Sequence, residues 1–151
     1  LVSCLEDDDV TTRRLSCRVI TKMFEYMSNI SVATQRLGYE QINDLYPKLL
    51  KRLDDSDDEI RKDACLMLMK FWSAAEKSSY FHETCTVYTF DVLFLHLDDP
   101  SLEIQRAVFE ALSCACELHP KLLTEKALLW QSTILARRHR VRKAYKTSEK
   151  D

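Results

Sequence analysis

Apolar residues recur along this chain at intervals of three and four positions, which is the spacing of one face of an α-helix. Two such patterns flank an acidic run, and two more flank a second acidic run. The apolar positions before the two runs are Ile42, Leu45, Leu49 and Leu53, and Val87, Phe90, Phe94 and Leu97. The positions after the runs are Ile60, Ala64, Met67, Leu68 and Phe71, and Ile104, Val108, Ala111, Leu112 and Ala115. Each run is therefore predicted to be a turn between two helices.

The two patterns belong to an internal repeat. In chain order the three copies are residues 5–20, 49–68 and 93–112. The second copy aligns without a gap on the third at an offset of 44 positions, and the first aligns on the second at an offset of 48. Because stacked helical hairpins bury their open faces on one another, we expect an all-α fold: an α-solenoid of about three hairpins plus a C-terminal helix. The first copy begins close to Leu1, so we interpret the chain as part of a longer protein.

This repeat predicts the domain organisation of the chain. The solenoid is expected over residues 1–129, with units at about 1–30, 34–77 and 80–119. A basic helix or tail is expected over residues 130–151.

The middle turn, KRLDDSDDEIRK at residues 51–62, contains five carboxylates within six residues. A helix N-terminus has unpaired N–H groups and partial positive charge, so Asp55 or Ser56 is expected to cap the next helix. Asp99 is expected to cap the last repeat helix, with Pro100 at its first position. The surplus acids fit a solvated turn or an exposed surface for a basic partner, whereas a calcium loop is disfavoured because it needs a central glycine. The candidate partner-binding acids are Asp54, Asp55, Asp57, Asp58, Asp98 and Asp99.

The composition is typical of long helices joined by short turns. The 151 residues include one Gly and three Pro, whereas phosphate-binding loops depend on glycine.

The six cysteines have no disulfide spacing, so free thiols in a reducing compartment, the cytoplasm, are expected. Neither His82 with Cys85 nor Cys114 with Cys116 predicts a metal site. We therefore expect neither an enzyme nor a cofactor, and no apolar run is long enough to span a membrane.

Charge is divided unevenly along the chain. Residues 1–129 have 22 Asp and Glu against 15 Lys and Arg, whereas residues 130–151 have seven Lys and Arg against two Asp and Glu. Because nucleic-acid phosphates repel an acidic surface, nucleic acid is not an expected partner of the body.

Two features outside the turns are further candidates for partner binding. Trp72, near the end of a predicted helix, either packs in the core or is a partly exposed anchor, since Trp is enriched at binding hot spots. A final helix is expected from about Leu122, and its basic end is either solvated or docks electrostatically. The candidate binding residues in that basic end are Arg137, Arg138 and Arg140.

The unit LLKRLDDSDDEIRKDA resembles the HEAT repeat, which has Leu-x-x-Leu-x-Asp before its turn and Ile/Val-Arg-x-x-Ala after it. The resemblance implies a ladder between neighbouring repeats, formed by the turn aspartate and the basic residues that follow it. The residues so implied are Asp55 and Asp99 with Arg61, Lys62 and Arg106. The first copy departs from the family pattern at Thr12, where Ile is usual. The third departs at Gln105, where Arg is usual, and this weakens the ladder there.

The stretches YPKLLKRLDD and HLDDP are similar to the C-terminal repeats of HEAT-repeat proteins that help assemble axonemal dynein, over about residues 1–125. This resemblance implies a cytoplasmic, non-enzymatic scaffold for the preassembly of dynein arms and hence for cilium motility. The implied partners are proteins, namely dynein intermediate chain and other assembly factors or chaperones. The alternative is a generic HEAT-repeat interaction module or a microtubule-associated one. Acidic turns disfavour contact with acidic tubulin, which leaves the basic tail for that role.

Overall fold

The computed structural model describes residues 1–29, 39–75 and 83–148, with the backbone alone at residues 39, 42, 43, 75, 83–85, 118 and 137–148. The described ranges are helical and contain no strand, which confirms the all-α prediction. Their six α-helices are α1 (Val10–Asn29), α2 (Tyr39–Lys51), α3 (Asp58–Ala75), α4 (Glu83–His96), α5 (Leu102–Leu118) and α6 (Pro120–Ser148). Short 3-10 helices at Ser3–Glu6 and Arg52–Asp54 precede the first and second turns.

The helices form hairpins whose second members pack side by side. α3 lies between α1 and α5, while α2 packs against α3 and α4 packs against α5. α6 packs against both α4 and α5. Each of α1, α3 and α5 follows one of the three aligned turns, so the order of helix, acidic turn and helix is that predicted by the repeat.

Aromatic contacts join the first two hairpins in the core. The ring of Phe71 on α3 meets the ring of Phe24 on α1 edge to face, with 5.3 Å between centroids. It also lies 5.1 Å from the ring of Tyr46 on α2. Such pairs contribute about 0.5–1.5 kcal/mol beyond the area they bury. Leu53, just before the second turn, is buried in the same core.

Trp72 belongs to this core and does not lie on the surface. Its side chain is only 2% exposed. Neighbouring helices cover α3 on two sides, so adjacent positions such as Phe71 and Trp72 are both buried. The interpretation of Trp72 as an exposed partner anchor is therefore corrected, and the packing interpretation holds.

α4 is apolar on most of its sides, and two neighbouring helices cover it. Phe90, Leu93 and Phe94 are buried. Phe94 stacks on Trp130 of α6 with 6.1 Å between ring centroids, while α5 packs against α4 as its hairpin partner. Tyr88 remains exposed.

α6 starts at Pro120, two residues before the expected start. Proline suits the first turn because its missing N–H would have no partner there in any case. The helix continues to Ser148, so the basic stretch is part of a helix. The side chains of the candidate residues Arg137, Arg138 and Arg140 lie outside the described residues.

Candidate functional site

The three turns share one local hydrogen-bond arrangement. In each, an aspartate carboxylate accepts the backbone N–H of the residue two positions later. The pairs, acceptor first, are Asp7 and Asp9 (2.9 Å), Asp55 and Asp57 (3.1 Å), and Asp99 and Ser101 (2.8 Å). Because these aspartates occupy equivalent positions in the aligned repeats, the sequence repeat is also a repeat of turn geometry.

A side chain six residues after each aspartate closes the turn by donating to the backbone carbonyl oxygen of that aspartate. The pairs, donor first, are Arg13 and Asp7 (2.9 Å), Arg61 and Asp55 (2.9 Å), and Gln105 and Asp99 (2.8 Å). The amide of Gln105 therefore keeps the carbonyl bond of its repeat without supplying a charge.

The helix caps lie one or two residues later than expected. α3 begins at Asp58, and the Asp57 carboxylate accepts the N–H of Ile60 at 3.1 Å. The N-cap of α5 is Ser101, whose side chain makes no capping bond. The predictions that Asp55 or Ser56 caps α3 and that Asp99 caps α5 are therefore wrong. The turn aspartates instead hold the residue that precedes each helix.

Arginine–aspartate ion pairs, here called rungs, connect successive hairpins through these turns. The guanidinium of Arg13 on α1 donates to both oxygens of Asp55, at 2.9 and 3.0 Å. In the same way Arg61 on α3 donates to both oxygens of Asp99, at 3.0 and 3.3 Å. Arg52 adds a buried bond of 2.8 Å to Asp55. Bidentate arginine–carboxylate pairs of this kind are stronger than neutral hydrogen bonds and fix the relative orientation of the two side chains.

Both rung aspartates are buried and remain charged. Burial alone would raise the pKa of the Asp55 carboxyl. The hydrogen bonds from Arg13 and from the Asp57 N–H together lower it by more than burial raises it, so the pKa lies below the ordinary value. Burial likewise raises the pKa of Asp99, and the Ser101 N–H and Arg61 bring it below the ordinary value. The carboxylates of Asp55 and Asp99 are therefore buried and paired within the chain. This corrects their assignment as exposed partner-binding acids.

The structure changes part of the ladder implied by the family resemblance. Arg61 pairs with Asp99 as implied. Lys62 instead lies 2.8 Å from Glu59 of its own helix and 3.5 Å from Glu103. Arg106 is exposed. Sequence reasoning missed Arg13, although the 48-residue offset places Arg13 opposite Arg61, and that alignment was the available signal.

The other acids of the middle turn are also mostly paired. The Asp57 carboxylate forms an ion pair with the guanidinium of Arg14 on α1, with 2.8 Å between nitrogen and oxygen. The Asp58 carboxylate pairs with Arg61 at 2.9 Å. Asp54 lies 3.4 Å from the imidazole of His96. The surplus acids in this turn are thus explained largely by contacts within and between hairpins.

Three of the six candidate acids keep exposed side chains. They are Asp54, Asp58 and Asp98. Within the described residues Asp98 makes no ion pair. We call these three residues the turn-edge acids.

The described residues form neither a metal-binding cluster nor a membrane-spanning helix. No group of three or more His, Cys, Asp or Glu side chains is arranged there to hold a metal ion. No helix in the described ranges combines the length and hydropathy that a membrane span requires.

Proteins of three vertebrates align with 83% of the chain at 30–35% identity. The chain is similar to dynein axonemal assembly factor 5. The identity is 30% over 128 residues for the Homo sapiens protein, 31% over 130 for that of Xenopus laevis and 35% over 130 for that of Mus musculus. The chain spans 14% of the length of each of these curated relatives. No protein-family model and no solved structure matches it.

The similarity to dynein axonemal assembly factor 5 includes the second and third turns. A continuous alignment over 83% of the chain leaves about 26 residues outside it, at one end or divided between the two ends. Asp55, Arg61 and Asp99 lie far from both ends. The rung between Arg61 and Asp99 is thus in the part of the chain that is similar to dynein axonemal assembly factor 5.

Proposed function

We propose that this chain is a non-enzymatic scaffold of HEAT-type hairpins that acts in the cytoplasmic preassembly of axonemal dynein arms. The observation that carries the proposal is the 30–35% identity to dynein axonemal assembly factor 5 over 83% of the chain. Dynein intermediate chain is the proposed direct partner, with other assembly factors or chaperones as further protein partners.

The buried residues described here support a role in binding through the protein surface and not in catalysis. The buried carboxylates of Asp55 and Asp99 are held by arginines. Burial raises the pKa of the Cys17 thiol to about 12 and that of Cys65 to about 12. These thiols therefore keep their protons at neutral pH, whereas a nucleophilic cysteine acts as the thiolate.

The proposed contact surface consists of the turn-edge acids Asp54, Asp58 and Asp98. Exposed charges of one sign attract a partner of the opposite sign and mainly change the association rate and its salt dependence. A basic segment of dynein intermediate chain is the partner that this surface fits. The rung acids Asp55 and Asp99 are excluded from it because they are buried, whereas the turn-edge acids are exposed.

Pull-down of dynein intermediate chain at low and physiological salt tests this proposal. The triple variant Asp54→Lys, Asp58→Lys and Asp98→Lys is expected to recover several-fold less partner at low salt. The charge-matched control replaces three exposed glutamates elsewhere by lysine. The control positions are Glu40, Glu110 and Glu117. Equal recovery with both triple variants would exclude the turn edge, and no recovery with the unmodified chain would exclude this partner.

The basic end of α6 supports a second candidate, a microtubule-associated module. Residues 136–145 contain five Lys and Arg and are helical, and tubulin is acidic. Co-sedimentation with microtubules tests it. Loss of binding when Arg137, Arg138 and Arg140 are replaced by glutamine would favour this function, and the absence of co-sedimentation would remove it.

A further inference from the structure

Two side-chain contacts show that α6 runs parallel to α4. The ammonium of Lys126 on α6 donates to the two carboxylate oxygens of Asp91 on α4, at 2.8 and 2.7 Å. Trp130, one helical turn further along α6, stacks on Phe94, one turn further along α4. The partners are 35 residues apart in the first pair and 36 in the second. Because both contacts advance together along the two helices, this offset gives the register between them.

Most of the basic part of α6 lies beyond the end of α4. α4 ends at His96, which the same offset places level with residue 132 of α6. α6 continues for 16 more residues to Ser148, which is about 24 Å at the helical rise of 1.5 Å per residue. We call residues 133–148 the α6 extension. It contains six Lys and Arg and no Asp or Glu, so it is a positively charged helix that extends past its hairpin neighbour.

Two leucines of one face of α6 are exposed. Leu128 lies before the α6 extension and Leu135 lies within it, and they are 61% and 56% exposed. Since they are seven residues apart, they share a helix face. Trp130 lies on a different side, where it packs against the core. The face with the two leucines is therefore apolar and, among the described residues, uncovered.

Two of the turn-edge acids lie where the α6 extension begins. Asp54 is 3.4 Å from the imidazole of His96 at the end of α4, and Asp98 comes two residues after His96. An anionic bilayer that lay along the extension would therefore also meet these exposed carboxylates, and like charges repel each other. A compact acidic groove that takes up the helix alone avoids that contact, so a protein groove is the better fit.

We propose that the α6 extension, with Leu128 and Leu135, is a docking helix for a Ca²⁺-loaded sensor protein of the EF-hand type. Basic amphipathic helices are typical ligands of such sensors. Ca²⁺ opens a methionine-rich apolar groove in the sensor, and the two leucines bind there as anchors spaced by seven residues. EF-hand loops are rich in carboxylates, which attract the basic residues of the extension. Binding is therefore switched on by Ca²⁺. This inference does not rest on the role in dynein assembly.

Isothermal titration of the chain with calmodulin tests this proposal, since calmodulin is a sensor with such a groove. We expect a complex of one chain with one calmodulin in Ca²⁺ and no detectable complex when Ca²⁺ is removed with EGTA. The absence of a complex in Ca²⁺ would overturn the proposal, even for a chain that binds vesicles of phosphatidylcholine and phosphatidylserine. Equal affinity in Ca²⁺ and in EGTA would overturn it as well.

Matched leucine variants test the apolar anchors. The double variant Leu128→Ser and Leu135→Ser is expected to bind calmodulin about tenfold more weakly, because apolar anchors dominate the binding energy. The control is Leu95→Ser with Leu102→Ser, at leucines of α4 and α5 that are 60% and 72% exposed, and it is expected to bind like the unmodified chain. All four side chains are exposed, so both variants are expected to keep the helical circular dichroism of the chain. Equal affinities of the two double variants would overturn the assignment of the anchors.

Matched charge variants test the basic residues of the extension. Arg142→Gln with Lys143→Gln is expected to bind calmodulin several-fold more weakly at low salt and to lose less affinity as salt is raised. The control is Arg106→Gln with Lys121→Gln, which removes two exposed positive charges outside the extension. The same affinity and salt dependence for both double variants would overturn the electrostatic part of the proposal.

Discussion

The guanidinium of Arg13 donates two hydrogen bonds, of 2.9 and 3.0 Å, to the carboxylate of Asp55, which lies 42 residues later in the sequence. Arg13 also holds the carbonyl oxygen of Asp7 in its own turn. One side chain thus closes the first turn and binds the second. The same double role is filled by Arg61 between the second and third turns.

The two adjacent aspartates of the third turn are expected to differ sharply in their effect on stability. Asp99→Asn loses the charge-assisted bonds from Arg61 and is expected to lower the free energy of unfolding by about 1.5–3 kcal/mol. Asp98→Asn, one residue earlier and exposed, is expected to change it by less than about 0.5 kcal/mol. Urea denaturation of the two variants measures this difference. Similar midpoints for both variants would show that the rung contributes little.

Stability is expected to fall in acid because of the same carboxylates. The folded-state pKa values of Asp55 and Asp99 lie below the ordinary value of 3.8. Their contribution is therefore complete at pH values above that value and is lost as the pH falls through the lower, folded-state pKa. Urea midpoints measured between pH 7 and pH 2.5, a range set by ordinary carboxyl pKa values of about 4, test this. In the double variant Asp55→Asn and Asp99→Asn the acid-dependent loss is expected to be smaller, and an unchanged pH dependence would contradict the assignment.

The cysteines are expected to react according to burial. Cys17 and Cys65 are buried and have pKa values raised to about 12 by that burial, whereas Cys116 is exposed. Iodoacetamide at pH 8, followed by mass spectrometry of each site, is expected to modify Cys116 first. Cys17 and Cys65 are expected to react only when the protein is unfolded in urea. Labelling of Cys17 as fast as that of Cys116 in native buffer would contradict the packing of α1 against α3.

The sequence was sufficient for the hairpins because their signals are local and repeated. Helical spacing of apolar residues and an ungapped alignment depend only on neighbours in the chain. The position of Leu53 in the core, before the second turn, followed directly from that spacing. The class of fold and the existence of three equivalent turns were therefore predictable.

The partners of the turn acids were not predictable in the same way. Arg13 and Asp55 meet only because α1 and α3 pack side by side, and the sequence alone does not give the angle at which they pack. The cap of α3 lies later than the sequence predicts for a related reason. With acids at several successive positions, local propensity does not determine whether Asp55 or Asp57 caps the helix, and the bond from Arg13 to Asp55 decides it.

A double-mutant cycle on Arg13 and Asp55 tests most directly whether charged rungs join successive hairpins. The free energy of unfolding is measured for the unmodified chain, for Arg13→Ala, for Asp55→Ala and for the double variant. We predict a favourable coupling free energy of about 0.5–3 kcal/mol between the two residues. Effects of the single substitutions that add to within about 0.3–0.5 kcal/mol would contradict a rung between the first and second hairpins.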